Sequence, residues 1–240
     1  GTSRLSIYFK NGSLTTTQVI AHLGLSYFEK KSVDGKAKYF SEIIWREFYY
    51  YILFHFPHVE TQAFQSRFEN LKWENNPEFF EAWKAGKTGF PLVDAGMRQL
   101  QTTGWMHNRV RMVVASFLTK DLLIDWRLGE RYFAKYLLDY ELASNNGNWQ
   151  WAASTGCDAQ PYFRIFNPTL QSQKFDQKGT YIKQWVPELK ALDAPYIHSP
   201  WQAPPEVLEQ AGIKLGTTYP FPIIDHAFAR KRALEALKTL

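Results

Sequence analysis

The stretch Trp105–Leu118, WMHNRVRMVVASFL, indicates the fold class most directly. Drawn as a helix at about 100° per residue, it places its apolar side chains in one stripe that we expect to face the core. The stripe consists of Val110, Val113, Val114, Phe117 and Leu118. Asn108 and Met112 lie opposite, with Arg109 and Arg111 on either flank. A solvated helix face ordinarily carries Lys and Glu, so we interpret this face as the wall of a cavity. A partly buried helix with chance polar residues is the alternative.

Helical patterns continue on both sides of this stretch and dominate the chain. The predicted helices span Tyr39–Phe56, Trp105–Lys120, Gly129–Leu142 and Asp225–Leu240. Pro57 ends the first of them, because proline lacks the N–H group that a helix needs. Ala194–Pro205, with four prolines, is a long irregular stretch, and alternating strand patterns are short and weak. We therefore predict an all-α fold that forms a single domain over residues 1–240.

Composition restricts the class of protein further. The net charge is +5, which suits a polyanionic partner, and aromatic residues make up 17% of the chain. The single Cys157 excludes a disulfide framework and indicates a reducing compartment, so we predict a cytoplasmic protein. No run of eighteen apolar residues occurs, so we expect no membrane span. Nothing in the sequence indicates oligomerisation, and we predict a monomer.

Two common kinds of site are not indicated by the residue spacings. The six histidines are scattered, and none has a metal-ligand spacing with Cys157, so we predict no metal site. The glycine fingerprints of Walker and Rossmann nucleotide sites are also missing from the sequence.

The stretch Asp139–Pro168, DYELASNNGNWQWAASTGCDAQPYFRIFNP, is rich in amides and aromatic residues. Asp139 and Glu141 could form a general acid/base pair. However, apolar neighbours favour an inward-facing Asp139 that needs a cationic partner, and Arg111 is our candidate. This interpretation argues against hydrolysis. On a helix Trp149 and Trp151 point about 200° apart, so they could serve two compartments or simply lie in the core.

Glu42, Trp45 and Arg46 share one face of a predicted helix, since they lie at positions i, i+3 and i+4. A carboxylate, an indole and a guanidinium could together bind a flat polar ligand. The residues alone favour a simpler interpretation, a surface ion pair of Glu42 with Arg46 worth about 0.3–0.5 kcal/mol.

Seven segments in order resemble the FAD-binding helical domain of the DNA photolyase/cryptochrome family, most closely the bacterial-type cyclobutane pyrimidine dimer photolyases. They are GTSRLS at 1–6, EIIWREFYY at 42–50, GKTGFPLVDAGMRQL at 86–100, GWMHNRVRM at 104–112, KDLLIDWRLGERYF at 120–133, NNGNWQWAAS at 145–154 and PYFRIFNP at 161–168. The resemblance implies light-driven repair of pyrimidine dimers in DNA. It further implies that the enzyme flips the dimer into a pocket above FAD and that the excited reduced flavin donates one electron to it. No proton-transfer pair is needed for such a reaction.

The resemblance also implies roles for residues at matching positions. The loop that holds the FAD phosphates matches Thr2, Ser3, Leu5 and Ser6. The ion pair beside the isoalloxazine matches Arg111 and Asp139, and Glu141 stands near the ring where the family commonly has Asp. Asn145 matches the residue that faces flavin N5, where a neutral amide can adapt to either protonation state. The pocket floor matches Glu42, Asn108 and Met112.

Further matches concern DNA and electron transfer. Trp45 and Trp151 match the aromatic walls that meet the lesion, and Arg46, Arg109 and Arg164 resemble a basic rim that binds phosphates, so that DNA binding should weaken with salt. Trp149, Trp126 and Trp73 match the chain of indoles that reduces the flavin under light.

The sequence departs from the family pattern in places, and other functions are alternatives to this prediction. Asn148 replaces a more usual Gly. The sequence begins at the phosphate loop, so we expect the N-terminal edge of the domain to be truncated and the antenna domain and its pigment to be absent.

A cryptochrome photoreceptor is the nearest alternative, against which Asn145 argues. A (6-4) photoproduct enzyme would place histidines where Asn108 and Met112 stand. A helical nucleic-acid-binding module without cofactor would leave the seven segments unexplained.

Overall fold

A computed structural model describes residues 2–24 and 35–238 of the chain. Within these residues the chain forms helices and connecting loops, with one isolated bridge between Leu215 and Tyr219 and no strand. The predicted all-α fold is therefore confirmed. Gly1, residues 25–34 and residues 239–240, which the predicted domain includes, lie outside the described residues. No helix in the described part of the chain is both long enough and apolar enough to cross a membrane.

The described α-helices are labelled in chain order. They are α1 (Ser6–Lys10), α2 (Thr16–Leu23), α3 (Gly35–His55), α4 (Pro77–Lys84), α5 (Pro91–Thr103), α6 (Asn108–Ser116), α7 (Trp126–Tyr136), α8 (Leu142–Ala153), α9 (Pro168–Phe175), α10 (Thr180–Trp185), α11 (Pro205–Gln210) and α12 (His226–Lys238). Short 3-10 turns lie at Pro57–Glu60, Ser66–Asn70, Pro187–Leu189 and Pro200–Gln202, and a π-helical turn follows α6 at Phe117–Asp121. Helices α3 and α12 correspond to the first and last predicted helices, although the predicted end of the latter lies outside the described residues.

The predicted helix Trp105–Lys120 begins too early. Gly104 ends α5 in the left-handed conformation, with φ 65°, and α6 begins only at Asn108. His107 has extended backbone angles, and its Nδ1 accepts a hydrogen bond from the N–H of Arg109 at 3.0 Å. A side-chain acceptor at this position satisfies a backbone donor that has no partner within the helix, and therefore sets where the helix starts.

The predicted helix Gly129–Leu142 is wrong over its second half. Helix α7 ends at Tyr136, because Leu137 adopts an extended conformation with ψ 123°. Helix α8 then begins at Leu142, where the carboxylate of Glu141 accepts the N–H groups of Ala143 and Ser144 at 2.8 and 2.9 Å. The apolar residues continue at helical spacing across this break, and Glu141, which caps α8, fits the same spacing. The sequence pattern therefore does not indicate where one helix ends and the next begins.

The main core lies among α5, α6, α7 and α8. The apolar stripe predicted for α6 is buried in it as expected, with no member more than 7% exposed. Trp83, which is fully buried, donates its indole N–H to the carbonyl of Val114 at 3.1 Å and so fixes α4 against α6. This packing presents the polar face of α6 to one side of the core, where the candidate site lies.

Candidate functional site

A cavity of about 640 Å³ lies between the N-terminal loop, α3, α6, α8 and the loop that precedes α8. Thirteen of the nineteen site residues predicted from the sequence line it. They are Thr2, Ser3, Leu5, Ser6, Glu42, Arg46, Asn108, Arg111, Met112, Asp139, Glu141, Asn145 and Trp149. The structure therefore gathers segments more than a hundred residues apart into one site.

The α6 side of this cavity matches the predicted cavity wall. Asn108 and Met112 both line it, and the Asn108 amide lies 3.9 Å from the Met112 sulfur. His107, which the sequence interpretation did not select, lines the cavity too. Burial, and next the nearby positive charges, lower the pKa of its imidazole below the usual value. A polar residue directly before an apolar helix was the signal that could have identified it.

Arg111 and Asp139 form the predicted ion pair. Arg111 Nη2 donates to both carboxylate oxygens of Asp139, at 2.8 and 3.1 Å, and its Nε donates to the carbonyl of Met106 at 2.8 Å. The side chain of Asp139 is only 3% exposed, whereas that of Arg111 is 25% exposed. Asp139 is thus held as the counter-ion of Arg111, and it is not arranged as half of an acid/base pair with Glu141, whose carboxylate caps α8.

Asn145 lies on the α8 side of the cavity and is held by a residue that the sequence interpretation missed. Its side-chain nitrogen donates to the Oε1 and to the backbone carbonyl of Glu130, at 2.9 and 3.2 Å. The hydroxyl of Tyr140 donates to the same Oε1 at 3.4 Å. Burial raises the pKa of Glu130 above its ordinary value, and the hydrogen bonds from Asn145 and Tyr140 oppose that rise.

The α3 side contributes Glu42 and Arg46, but the surface ion pair between them is not formed. Glu42 pairs with Lys38 at 2.9 Å, and Arg46 pairs with Glu47 at 3.0 Å while donating to the hydroxyl of Tyr50 at 3.1 Å. The simpler interpretation of this face was therefore wrong in its partners. Both side chains line the cavity, which agrees with a role in ligand binding.

The N-terminal loop closes one end of the cavity with small polar groups. The Ser3 hydroxyl donates to the Tyr39 hydroxyl at 3.3 Å and accepts the N–H of Leu5 at 3.4 Å. Arg4 has a positive φ of 55°, and its guanidinium lies 5.1 Å from the centre of the Trp105 ring. The stacked ring orients a loop whose hydroxyl and N–H groups could bind phosphate oxygens.

The two neighbouring tryptophans of α8 face different compartments, as their spacing allowed. Trp149 is buried in the core and lines the main cavity. Trp151 lines a separate, small cavity with Tyr49 and Cys157. Trp126 is buried in the same core cluster as Trp149, and Trp73 packs partly buried against it.

The remaining predicted residues lie outside the main cavity. Trp45 is 40% exposed and contacts Tyr49, at a distance of 6.2 Å between ring centres. The guanidinium of Arg109 lies 4.6 Å from the centre of the exposed Phe175 ring. Arg164 is exposed in the loop between α8 and α9. Exposed cationic and aromatic groups of this kind can contact the phosphates and bases of nucleic acid.

Fold and cavity together define an all-helical domain with a pocket large enough for a dinucleotide cofactor, lined by hydroxyls, amides and one partly buried ion pair. The chain belongs to the family described as the FAD binding domain of DNA photolyase, whose model matches residues 39–239.

The chain is similar to the deoxyribodipyrimidine photo-lyase of Agrobacterium fabrum, with 54% identity over 98% of this chain and 49% of the relative. It is 49% identical to that of Escherichia coli over 98% of this chain and 49% of the relative. Among solved structures, a bacterial class III photolyase from Agrobacterium tumefaciens superposes with a TM-score of 0.93 at 48% identity, covering 99% of this chain and 49% of that one. A Synechocystis cryptochrome superposes with a TM-score of 0.90 at 36% identity, covering 98% and 48%. The chain thus spans about half the length of the relatives that it matches.

Proposed function

We propose that this chain is the catalytic part of an enzyme that repairs cyclobutane pyrimidine dimers in DNA by light-driven electron transfer. One observation carries the proposal: Glu42, Asn108 and Met112 line the same cavity as Asn145 and the Arg111–Asp139 pair. The first three are the proposed contacts of the dimer, and the others are the proposed contacts of a flavin ring. A single cavity that holds both sets lets the two rings meet without an intervening protein layer.

The residues of the cavity fit FAD by their chemistry. Thr2, Ser3 and Ser6 supply hydroxyl groups for its phosphates, and Arg111 offers a cation beside the ring. When bound in its reduced form, FAD supplies the electron that opens the cyclobutane ring and receives it back. Asp139 keeps Arg111 in place, because its carboxylate accepts two charge-assisted hydrogen bonds from the guanidinium.

The proposed lesion contacts act by orientation. The Asn108 amide can bind the polar edge of a pyrimidine, while Met112 offers a polarisable apolar surface to its ring. Arg109 and Arg164, exposed outside the cavity, are proposed to bind the phosphates on either side of the flipped dinucleotide. We infer that Trp45 and Trp151 contact the flipped bases from their sides.

The deciding experiment measures repair directly. This chain, and any longer protein that contains it, is loaded with FAD, reduced, mixed with DNA that contains thymine dimers and exposed to blue light. We expect thymine monomers to reappear only in the light. Bound and reduced FAD without light-dependent repair would overturn the proposal and favour a cryptochrome-type photoreceptor, whose fold superposes on this chain as well. A chain that binds dimer-containing DNA but no FAD would favour the helical nucleic-acid-binding module.

We further propose that Trp149, Trp126 and Trp73 carry electrons from the surface to the flavin. Burial of Trp149 and Trp126, with Trp73 only partly buried beside them, supports a path from the cavity outward. Trp73→Phe should slow light-driven reduction of bound FAD and leave repair by pre-reduced enzyme nearly unchanged. An equal loss of both would show that Trp73 has another role. The monomeric state, the cytoplasmic location and the lack of an antenna pigment stay predictions.

A further inference from the structure

His107 caps helix α6 with its imidazole ring. Its backbone is extended, and its Nδ1 accepts a hydrogen bond from the backbone N–H of Arg109 at 3.0 Å. An imidazole nitrogen accepts only while it carries no hydrogen, so the capping ring is neutral and its hydrogen lies on Nε2. Protonation of the ring turns Nδ1 into a donor and ends this hydrogen bond. The start of α6 therefore depends on the charge state of one side chain.

The cations around His107 disfavour a protonated ring. Partial burial, and after it the charges of Arg109 and Arg111, lower the pKa of the imidazole. In the N-terminal loop, the guanidinium of Arg4 lies 5.1 Å from the centre of the Trp105 ring. The Trp105 ring in turn meets the His107 ring edge to face, at 6.5 Å between ring centres. Three cations on two elements thus favour the neutral ring that caps the helix.

The three carboxylates that line the same cavity have other partners. Asp139 binds Arg111 at 2.8 Å, and Glu141 caps α8. Glu42 of α3 pairs with Lys38 at 2.9 Å. In the part of the chain that the structure describes, none of these carboxylates serves as the counter-ion of a protonated His107.

The cap acts on the first turn of α6, where a proposed lesion contact stands. Asn108 is the first residue of this helix and lines the cavity. Loss of the cap lets the first turn fray, because its N–H groups have no carbonyl partners within the helix. Arg111 is protected from this effect, since it is held by its own hydrogen bonds to Asp139 and to the carbonyl of Met106.

We infer that His107 is a positioning residue for the lesion: its neutral ring fixes Asn108 at the start of α6, and its protonation releases that turn and weakens the preference for dimer-containing DNA. This inference rests on the proposed function, in which Asn108 binds the polar edge of a pyrimidine. FAD binding is spared, because Arg111 does not depend on the cap. A purely structural role would affect both ligands together.

The test measures the lesion preference of the FAD-loaded protein at pH 8.0 and 5.0. This preference is the affinity for dimer-containing DNA divided by the affinity for undamaged DNA. The division corrects for the charge that the protein gains at low pH, since that charge attracts the phosphates of either DNA. We expect the preference of the parent to fall about fivefold at pH 5.0, which corresponds to the roughly 1 kcal/mol of a helix cap. An unchanged or higher preference at pH 5.0 would overturn the inference.

Two variants assign the change to the cap. His107→Asn supplies a side-chain oxygen that caps a helix and does not titrate, so its preference should be the same at both pH values and within twofold of the parent at pH 8.0. His107→Ala removes the acceptor, and its preference should be low at both pH values. A fall in the Asn variant as large as that in the parent would place the titrating group elsewhere.

FAD affinity separates positioning of the lesion contact from general damage to the cavity. At pH 8.0 both variants should bind FAD within twofold of the parent. A parallel loss of FAD affinity in His107→Ala would show a general structural role and contradict the inference. Failure of the parent to repair dimers in the light would instead overturn the proposed function and leave the cap itself standing.

A second measurement needs neither a variant nor the cofactor. In the ¹⁵N-labelled parent protein, NMR of the imidazole nitrogens should show the hydrogen of His107 on Nε2 at pH 8.0. Protection of the Arg109 N–H against exchange, relative to a free peptide at the same pH, should fall about fivefold at pH 5.0. A ring that carries its hydrogen on Nδ1 at pH 8.0 would contradict the inference even if His107→Ala does not fold.

Discussion

The two sides of the cavity are built differently. On one side, α1 buries none of its residues and the 21-residue α3 buries only Ile43 and Tyr49. On the other side, α6 buries five of its nine residues and α8 buries six of its twelve. The α6/α8 side therefore gains its shape from the core, while the α3 side is held by few buried contacts.

This difference bears on the two proposed tasks, although both sides contribute to DNA binding, since the proposed lesion contacts Asn108 and Met112 stand on α6. Electron transfer requires that Asn145, Arg111 and Trp149 keep fixed distances to the cofactor, and these residues stand on or beside the α6/α8 side. Binding of DNA and phosphates requires accessible groups, and Glu42 and Arg46 stand on α3. Exposed aromatic residues such as Phe54, at 80%, accompany them.

We expect the largest loss of stability when the ion pair of Arg111 with Asp139 is broken. Arg111→Ala removes the cation from Asp139, whose side chain is 3% exposed, and breaking a buried pair in this way costs about 3 kcal/mol of unfolding free energy. Urea unfolding measures the loss. Arg111→Ala combined with Asp139→Asn should recover part of it, because no buried carboxylate then remains. A loss below about 1 kcal/mol in the single variant would show that Asp139 does not depend on Arg111.

Two glycine substitutions compare the two sides directly. An added Cβ at Gly129 would lie 2.2 Å from Trp149 and 2.6 Å from Leu118, both in the core. An added Cβ at Gly147 would lie 2.1 Å from Tyr49 of α3. We expect Gly129→Ala to lower the unfolding free energy by about 2 kcal/mol, since the packed core has no space for the added methyl group. Gly147→Ala should cost less, because α3 can move away.

Gly35→Ala serves as the control for the stability measurement, since a Cβ there has no neighbour within 4 Å among the residues that the structure describes. Urea unfolding is measured for all three variants, and FAD affinity for Gly129→Ala and Gly147→Ala. We expect Gly147→Ala to weaken FAD binding more than its small loss of stability suggests, because displacement of α3 widens the cavity. Equal losses of stability at Gly129 and Gly147 would mean that the two sides are equally rigid.

The smallest effect concerns a buried lysine beneath α8. Lys120 Nζ donates to the carbonyl of Ala153 and to the hydroxyl of Ser154 at the end of that helix, and burial lowers its pKa to about 7. Above pH 7 the unfolded chain therefore binds more protons than the folded one, so stability rises with pH through this window. Between pH 7 and 8 the free energy of unfolding should rise by about 1 kcal/mol.

Lys120→Met should abolish this rise, because the variant has no ammonium group to deprotonate. Lys190→Met, at an exposed position, is the matched control and should keep the rise. Urea unfolding at pH 7.0 and 8.0 measures both variants. If stability still rises with pH in the Lys120→Met variant, another titrating group causes the rise. The neutral form of Lys120 would then not account for the stability at the end of α8.

Much of the site was predictable because it depended on local patterns. The stripe around Val113 identified the buried face of α6, and the same calculation placed Asn108 and Met112 on a cavity wall. Burial reasoning alone paired Asp139 with Arg111. Roles for Thr2, Ser3 and Trp126 came from the family resemblance and stay predictions.

The sequence interpretation missed three features: the role of Glu130, the helix break at Glu141 and the ion-pair partners on α3. Glu130 resembles any polar residue on α7, and only the packing of α7 against α8 brings its oxygens to Asn145. Glu141 fits a continuous helix by its spacing, yet its carboxylate ends one helix and starts the next. Glu42 pairs with Lys38 and not with Arg46, although both lie four residues away, because Arg46 contacts Glu47 and Tyr50 instead.

By itself, the sequence determined that the chain is helical, which face of α6 enters the core and which family the chain resembles, because periodicity and motif order are properties of neighbouring residues. The tertiary structure alone decided how Asn145 is oriented, where Trp151 points and how firmly each side of the cavity is held. Those properties arise from hydrogen bonds and packing between residues distant in the chain, whose geometry exists only after the helices have come together.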